Sequence, residues 1–105
     1  MTQPTKTHRI TWQGIAIEIS YCPQWLEGDI DGYNIAHLEV RAMEPERARL
    51  PITETGYKSH FCHHADIEQY GGAVEFVTAW LKSAAKSHEW QIHLEKSKQP
   101  DLFEL

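Results

Sequence analysis

The sequence has little of what would place a protein in a membrane or make it depend on disulfides. It contains two cysteines, Cys22 and Cys62, among 105 residues, which is too few for a disulfide framework and suits a reducing compartment. No apolar run approaches the ~20 residues of a membrane helix. Residues 1–6 also lack the apolar core of a signal peptide. We therefore expect a cytoplasmic protein with no membrane contact.

Concentrated charge is missing as well. The net charge is −5, and the acidic residues are spread evenly along the chain. Because phosphate affinity depends on clustered Lys and Arg, this composition argues against nucleic acid as a partner. The chain is 41% hydrophobic and has four tryptophans, enough for one packed core. We expect a single domain over residues 1–105, with polar termini at 1–7 and 95–105.

Alternation of apolar and polar residues predicts a four-stranded sheet. Residues 8–21 have the pattern of a β-hairpin with Gly14 in its turn. Further strands are predicted over residues 33–42 and 53–62, with Gly56 expected to mark a β-bulge in the last one. The side chains expected to face the core share one phase of their strands: Ile15, Ile17, Ile19, Tyr21, Ala36, Leu38 and Val40.

One main helix is predicted over residues 72–88, where apolar side chains recur at helical spacing. Asp66 begins a segment that resembles a capping box, which Gly71 and Gly72 soon interrupt. The stretch 91–105 is mixed and polar, and no helix is predicted there. The whole pattern predicts an α+β fold, in which an antiparallel sheet of about four strands is followed by one main C-terminal helix packed on one face.

A segment rich in imidazole and thiol groups is the first candidate site. If residues 60–64 are extended, His60, Cys62 and His64 project to one side, and these ligand types suit zinc. A fourth ligand would have to come from elsewhere, such as His37 or Cys22. The pattern therefore predicts a zinc-binding regulatory protein, or alternatively a strand end with a buried cysteine and surface histidines.

A second candidate is a group of arginines around the connection between the last two predicted strands. Arg41, Arg47 and Arg49 could form a positive patch that meets a phosphate or carboxylate partner. Interleaved glutamates offer the alternative of salt bridging within the segment.

The C-terminal segment is the third candidate. Gln99, Leu102 and Phe103 resemble the short peptide by which bacterial replication and repair proteins dock on the sliding clamp. An exposed apolar pair on a terminus suits a preformed groove, and Gln supplies directional hydrogen bonds. The alternative is a tail that folds back on the sheet or covers its edge.

Neither a nucleophile with its base and orienting residue, nor a pair of catalytic carboxylates, nor a phosphate loop emerges from the sequence, which favours a non-enzymatic protein. Residues 10–15 and 55–61, with the helix that follows Gly71-Gly72, resemble small uncharacterised proteins carried on plasmids and other mobile elements of alphaproteobacteria. This resemblance covers about residues 9–90.

The resemblance implies a setting in which accessory, anti-restriction and anti-CRISPR proteins are common. The main hypothesis is therefore a small accessory or inhibitor protein that binds another protein, with a homodimer as a further possibility. A protein of this kind should show an apolar or aromatic surface patch or a self-complementary dimer face.

Overall fold

The computed structural model describes residues 5–23 and 35–98. Within these ranges the chain forms four strands followed by three helices. The elements are β1 (Lys6–Trp12), β2 (Ile15–Cys22), β3 (Ile35–Glu44), β4 (Tyr57–His63), α1 (His64–Gln69), α2 (Ala73–Ala84) and α3 (His88–Lys98).

The four strands make one antiparallel sheet in the order β1-β2-β3-β4. β1 and β2 are joined by the two-residue turn Gln13-Gly14, in which φ is 46° and 79°. A two-residue turn with both φ angles positive matches the right-handed twist of a hairpin. The predicted hairpin and the predicted α+β fold are confirmed.

The core lies on one face of this sheet. The inward side chains of β2 and β3 stand opposite one another, for example Ile19 beside Val40, and α2 packs across β2. Val77 and Leu81 of α2 are fully buried against this face. The predicted phase of the two central strands is confirmed by their fully buried residues Ile17, Ile19, Ala36, Leu38 and Val40.

The fourth strand differs from its prediction. It begins at Tyr57 rather than at residue 53, and Gly56 lies in the preceding turn with φ 78°. The Thr53 and Thr55 hydroxyls donate to the Tyr57 carbonyl, at 2.8 and 3.2 Å. Side-chain bonds of this kind compete with strand pairing and favour turns. The irregularity in the sheet occurs instead in β2, between Ala16 and Ile17.

The predicted long helix is shorter than expected. α2 ends at Ala84, and the next three residues form a turn. The outward positions Glu75, Thr78 and Lys82 are exposed, as helical spacing requires.

Two helices were not predicted with their observed bounds. α1 begins at His64, so Asp66 lies in its first turn and is not a cap. α3 occupies the stretch that was expected to be irregular. The Ser87 hydroxyl caps the start of α3 by accepting a hydrogen bond from the Trp90 amide at 3.1 Å. The polar composition of the segment gave no helical spacing of apolar residues from which this start could be predicted. Among the described residues, no helix combines the length and hydropathy that a membrane span requires.

Candidate interaction sites

An aromatic cluster lies where β4 meets α2. His60 points from β4 toward the helices, and its ring lies 5.0 Å from that of Trp80 and 6.1 Å from that of Phe76. Phe76 and Trp80 are one helical turn apart, and their rings are in contact at 5.9 Å. Tyr70, in the turn after α1, packs edge-on against Phe76 at 5.1 Å. Three elements thus bring four rings together.

These four rings line a cavity of about 340 Å³, with Ala79 and Ser83 of α2 completing its wall. We call this cavity the aromatic groove. Tyr70 is 53% exposed, so one ring is presented to solvent while the others are half-buried. Burial, followed by the positive charge of Lys58, lowers the pKa of His60 below the usual histidine value. At neutral pH the groove is therefore lined by uncharged rings.

His64 has a different environment from His60. The Tyr21 hydroxyl lies 2.6 Å from its Nδ1, and its Nε2 lies 2.6 Å from a carboxylate oxygen of Glu68. A phenol that donates to Nδ1 leaves Nε2–H to donate to the carboxylate, so both ring nitrogens are engaged. Burial, with smaller effects of Cys62 and Glu68, raises the pKa of Tyr21, which keeps the phenol protonated.

The three residues proposed for zinc therefore have separate roles in the described contacts. His60 lies in the aromatic groove and His64 bonds Tyr21 and Glu68. Burial, followed by the charge of Asp66, raises the pKa of the Cys62 thiol, and zinc binds the thiolate. In residues 5–23 and 35–98, no group of three or more His, Cys, Asp or Glu side chains could hold a metal ion. Zinc binding through this segment stays a prediction.

The three candidate arginines do not form one patch. Arg41 and Arg47 line a second cavity of about 720 Å³ at the Tyr57 end of β4. Arg49 is paired instead with Glu54 at 3.7 Å. Arg41 also lies over the Tyr57 ring, 5.1 Å from its centre. The structure thus brings two of the three together around one aromatic ring.

A network on the sheet face opposite the core was missed by sequence reasoning. Nε2 of the buried His37 is 2.7 Å from the Ser59 hydroxyl, and its Nδ1 is 3.7 Å from Glu39. These residue types are those of a hydrolytic triad. However, 3.7 Å is too long for a hydrogen bond, and Glu39 accepts from the Tyr57 hydroxyl at 3.2 Å. Neither of the two cavities above is lined by Ser59 or His37.

We interpret this network as cross-strand pairing that orders the polar face. The register alone would have revealed it, because Glu39 lies directly opposite Ser59. Gln99, Leu102 and Phe103, the residues of the clamp-docking hypothesis, lie outside the described residues, and that hypothesis stays a prediction.

Comparisons with known proteins place the chain in one family. A comparison with curated proteins found no match, and a comparison with solved structures found none either. The family model of the KlcB third domain matches residues 5–90, which include the whole sheet, α1, α2 and the first turn of α3. Both cavities lie within the matched residues. The chain belongs to the KlcB third domain family.

Proposed function

We propose that this protein is a non-enzymatic accessory protein that acts by binding another protein, and that the aromatic groove is its docking surface. The observation that carries this proposal is the grouping of His60, Tyr70, Phe76 and Trp80 around one open cavity. Aromatic rings are enriched at the energetic centres of protein interfaces, because they bury a large area at a small cost in side-chain entropy.

The charge around the groove favours a neutral apolar side chain as its occupant. Aromatic rings also attract cations, but the pKa of His60, the one basic residue among the described residues that line the groove, is lowered. Lys58 is close enough to act on His60 electrostatically, so it would repel an incoming ammonium or guanidinium group. A partner that inserts a leucine, phenylalanine or similar side chain suits the groove best.

The family agrees with an accessory role. KlcB is associated with plasmids, and plasmid-borne accessory proteins include inhibitors that act by occupying the surface of a host protein. An anti-restriction or anti-CRISPR type of inhibitor is one form that this proposal takes. Its mechanism requires a docking surface and no catalytic residue.

A pull-down from bacterial lysate tests the groove. The tagged full chain is compared with Tyr70→Ala, which removes an exposed ring without opening the core, and with Ile92→Ala on α3. Ile92 is 41% exposed and lies outside the groove, so it is a matched control. We expect the wild type and Ile92→Ala to retain the same partner in equal amounts. Tyr70→Ala should retain about tenfold less of it.

A photo-crosslinking residue at position 70 should join the same partner covalently. If the partner is the chain itself, the groove is a homodimer interface. Equal retention by Tyr70→Ala and the wild type would overturn the assignment of the groove.

A further inference from the structure

The second cavity, which we call the arginine cavity, shares no lining residue with the aromatic groove. It lies between the end of β3 and the connection that leads to β4. Its polar wall is formed by Arg41, Glu46, Arg47, Thr55 and Tyr57. At about 720 Å³ it has the size at which proteins bind small ligands.

Backbone contacts join the two segments that border this cavity. The Ala42 amide donates to the Gly56 carbonyl at 2.8 Å, and the Arg47 amide donates to the Ala42 carbonyl at 3.3 Å. Gly56 is packed so closely that a Cβ would meet the Arg47 backbone at 2.7 Å. These contacts hold Arg47 in the left-handed region, with φ 61°. Such conformations in residues other than glycine cluster at functional sites.

The two guanidinium groups of the cavity differ in how they are compensated. Arg41 lies 3.7 Å from Glu39 and over the Tyr57 ring. Within residues 5–23 and 35–98, no ion pair or hydrogen bond engages the Arg47 side chain. Glu46 is the one acidic residue in the lining, and it forms no ion pair with Arg47 among the described residues. Arg47 is exposed, so its guanidinium is open to solvent and to an oxyanion that enters the cavity.

We propose that the arginine cavity binds the oxyanion group of a small ligand, with Arg47 as the main contact and Arg41 as a second, partly neutralised donor. The Thr55 hydroxyl, already bonded to the Tyr57 backbone, borders the same space. Phosphate and carboxylate share the chemistry that a guanidinium recognises. The lining carries the guanidinium groups of Arg41 and Arg47 and the carboxylate of Glu46 on a protein of net charge −5. Binding of an anion therefore depends on how the two guanidinium groups are placed in the cavity and not on the overall field.

An NMR titration of the full chain with inorganic phosphate, and separately with acetate, tests this site at constant ionic strength. We expect saturable shifts of the backbone amides of residues 41–47 and 55–57, with a dissociation constant on the order of millimolar. The probe that binds more tightly identifies the phosphate or the carboxylate as the preferred group.

Two variants distinguish anion binding in the arginine cavity from a general effect of positive charge. Arg47→Gly removes the guanidinium and adopts the positive φ at no steric cost, so the fold is kept. It should weaken binding about tenfold. Arg49→Ala removes the same charge from the neighbouring arginine, which is paired with Glu54 outside the cavity, and should bind as the wild type does. Shifts that do not saturate, or equal weakening by both variants, would overturn the proposal.

Discussion

Two glycines with nearly the same backbone angle have different surroundings. Gly14, in the β1–β2 turn, has φ 79° and nothing within 4 Å of the place where a Cβ would be. Gly56 has φ 78°, and a Cβ there would meet backbone atoms of Arg47 at 2.7 Å and of Ala48 at 2.9 Å. The first position needs glycine for its backbone angle alone, whereas the second also needs the absence of a side chain.

Gly14→Ala and Gly56→Ala should therefore differ in stability. The alanine at position 14 should cost about 1 kcal/mol, the usual penalty for a left-handed residue. At position 56 the close contact with backbone adds to this, and we expect a loss of about 3 kcal/mol or more. Urea unfolding of the two variants measures the difference. Equal costs would mean that the Gly56 turn opens easily.

The α3 helix depends on one tryptophan. Trp90 is 4% exposed and its ring lies 5.9 Å from that of Trp12 in β1. Within the part of the chain that the structure describes, its indole N–H has no acceptor, so apolar packing alone holds the ring. An isolated helix of this length is marginal in water. The attachment of α3 to the sheet therefore depends on the packing of Trp90.

Trp90→Ala should release α3 without unfolding the sheet. Removing a buried tryptophan costs about 3–5 kcal/mol, more than a short polar helix contributes by itself. Hydrogen exchange is the direct measurement: residues 91–94 should lose protection while residues 17–21 keep theirs. Ile92→Ala, which truncates an exposed side chain of the same helix, is the control and should leave both segments protected. Unchanged protection of α3 in Trp90→Ala would contradict this account.

The stability of the whole molecule should depend on pH, because the pKa of His60 is lower in the folded protein than in the unfolded chain. The unfolded chain binds a proton at the ordinary histidine value of about 6.5, and the folded protein binds it only at lower pH. Protonation therefore favours the unfolded state. The contribution of His60 is fully present above pH ~6.5 and is lost as the pH falls toward the folded value.

Replacing His60 by phenylalanine keeps a ring in the groove and removes this titration. We expect the stability of the wild type to fall more steeply between pH 7 and pH 5 than that of His60→Phe. Urea unfolding at several pH values measures both slopes, and the difference between the proteins cancels the effect of the other histidines. Parallel curves would show that His60 does not contribute to the pH dependence.

The sheet and the main helix were predictable because their signals are local. Alternation in residues 15–21 and helical spacing in residues 74–84 indicate which side of each element is apolar. Burial of that apolar side drives the packing of the element. Two of the predicted boundaries that were wrong, the starts of β4 and α3, are set by side-chain hydrogen bonds. Thr53 and Thr55 held the chain in a turn before β4, and Ser87 began α3, in a segment whose composition is polar.

By itself the sequence determined the α+β class, the inward phase of the central strands and the candidate residues. The grouping of those residues was decided by the tertiary structure alone. Arg47 and Arg41 share a cavity while Arg49 does not, and His60 joins rings that are up to 20 positions away, such as Trp80. The physical reason is that periodicity specifies a face of one element, whereas a site needs the distances between elements, which register and packing supply.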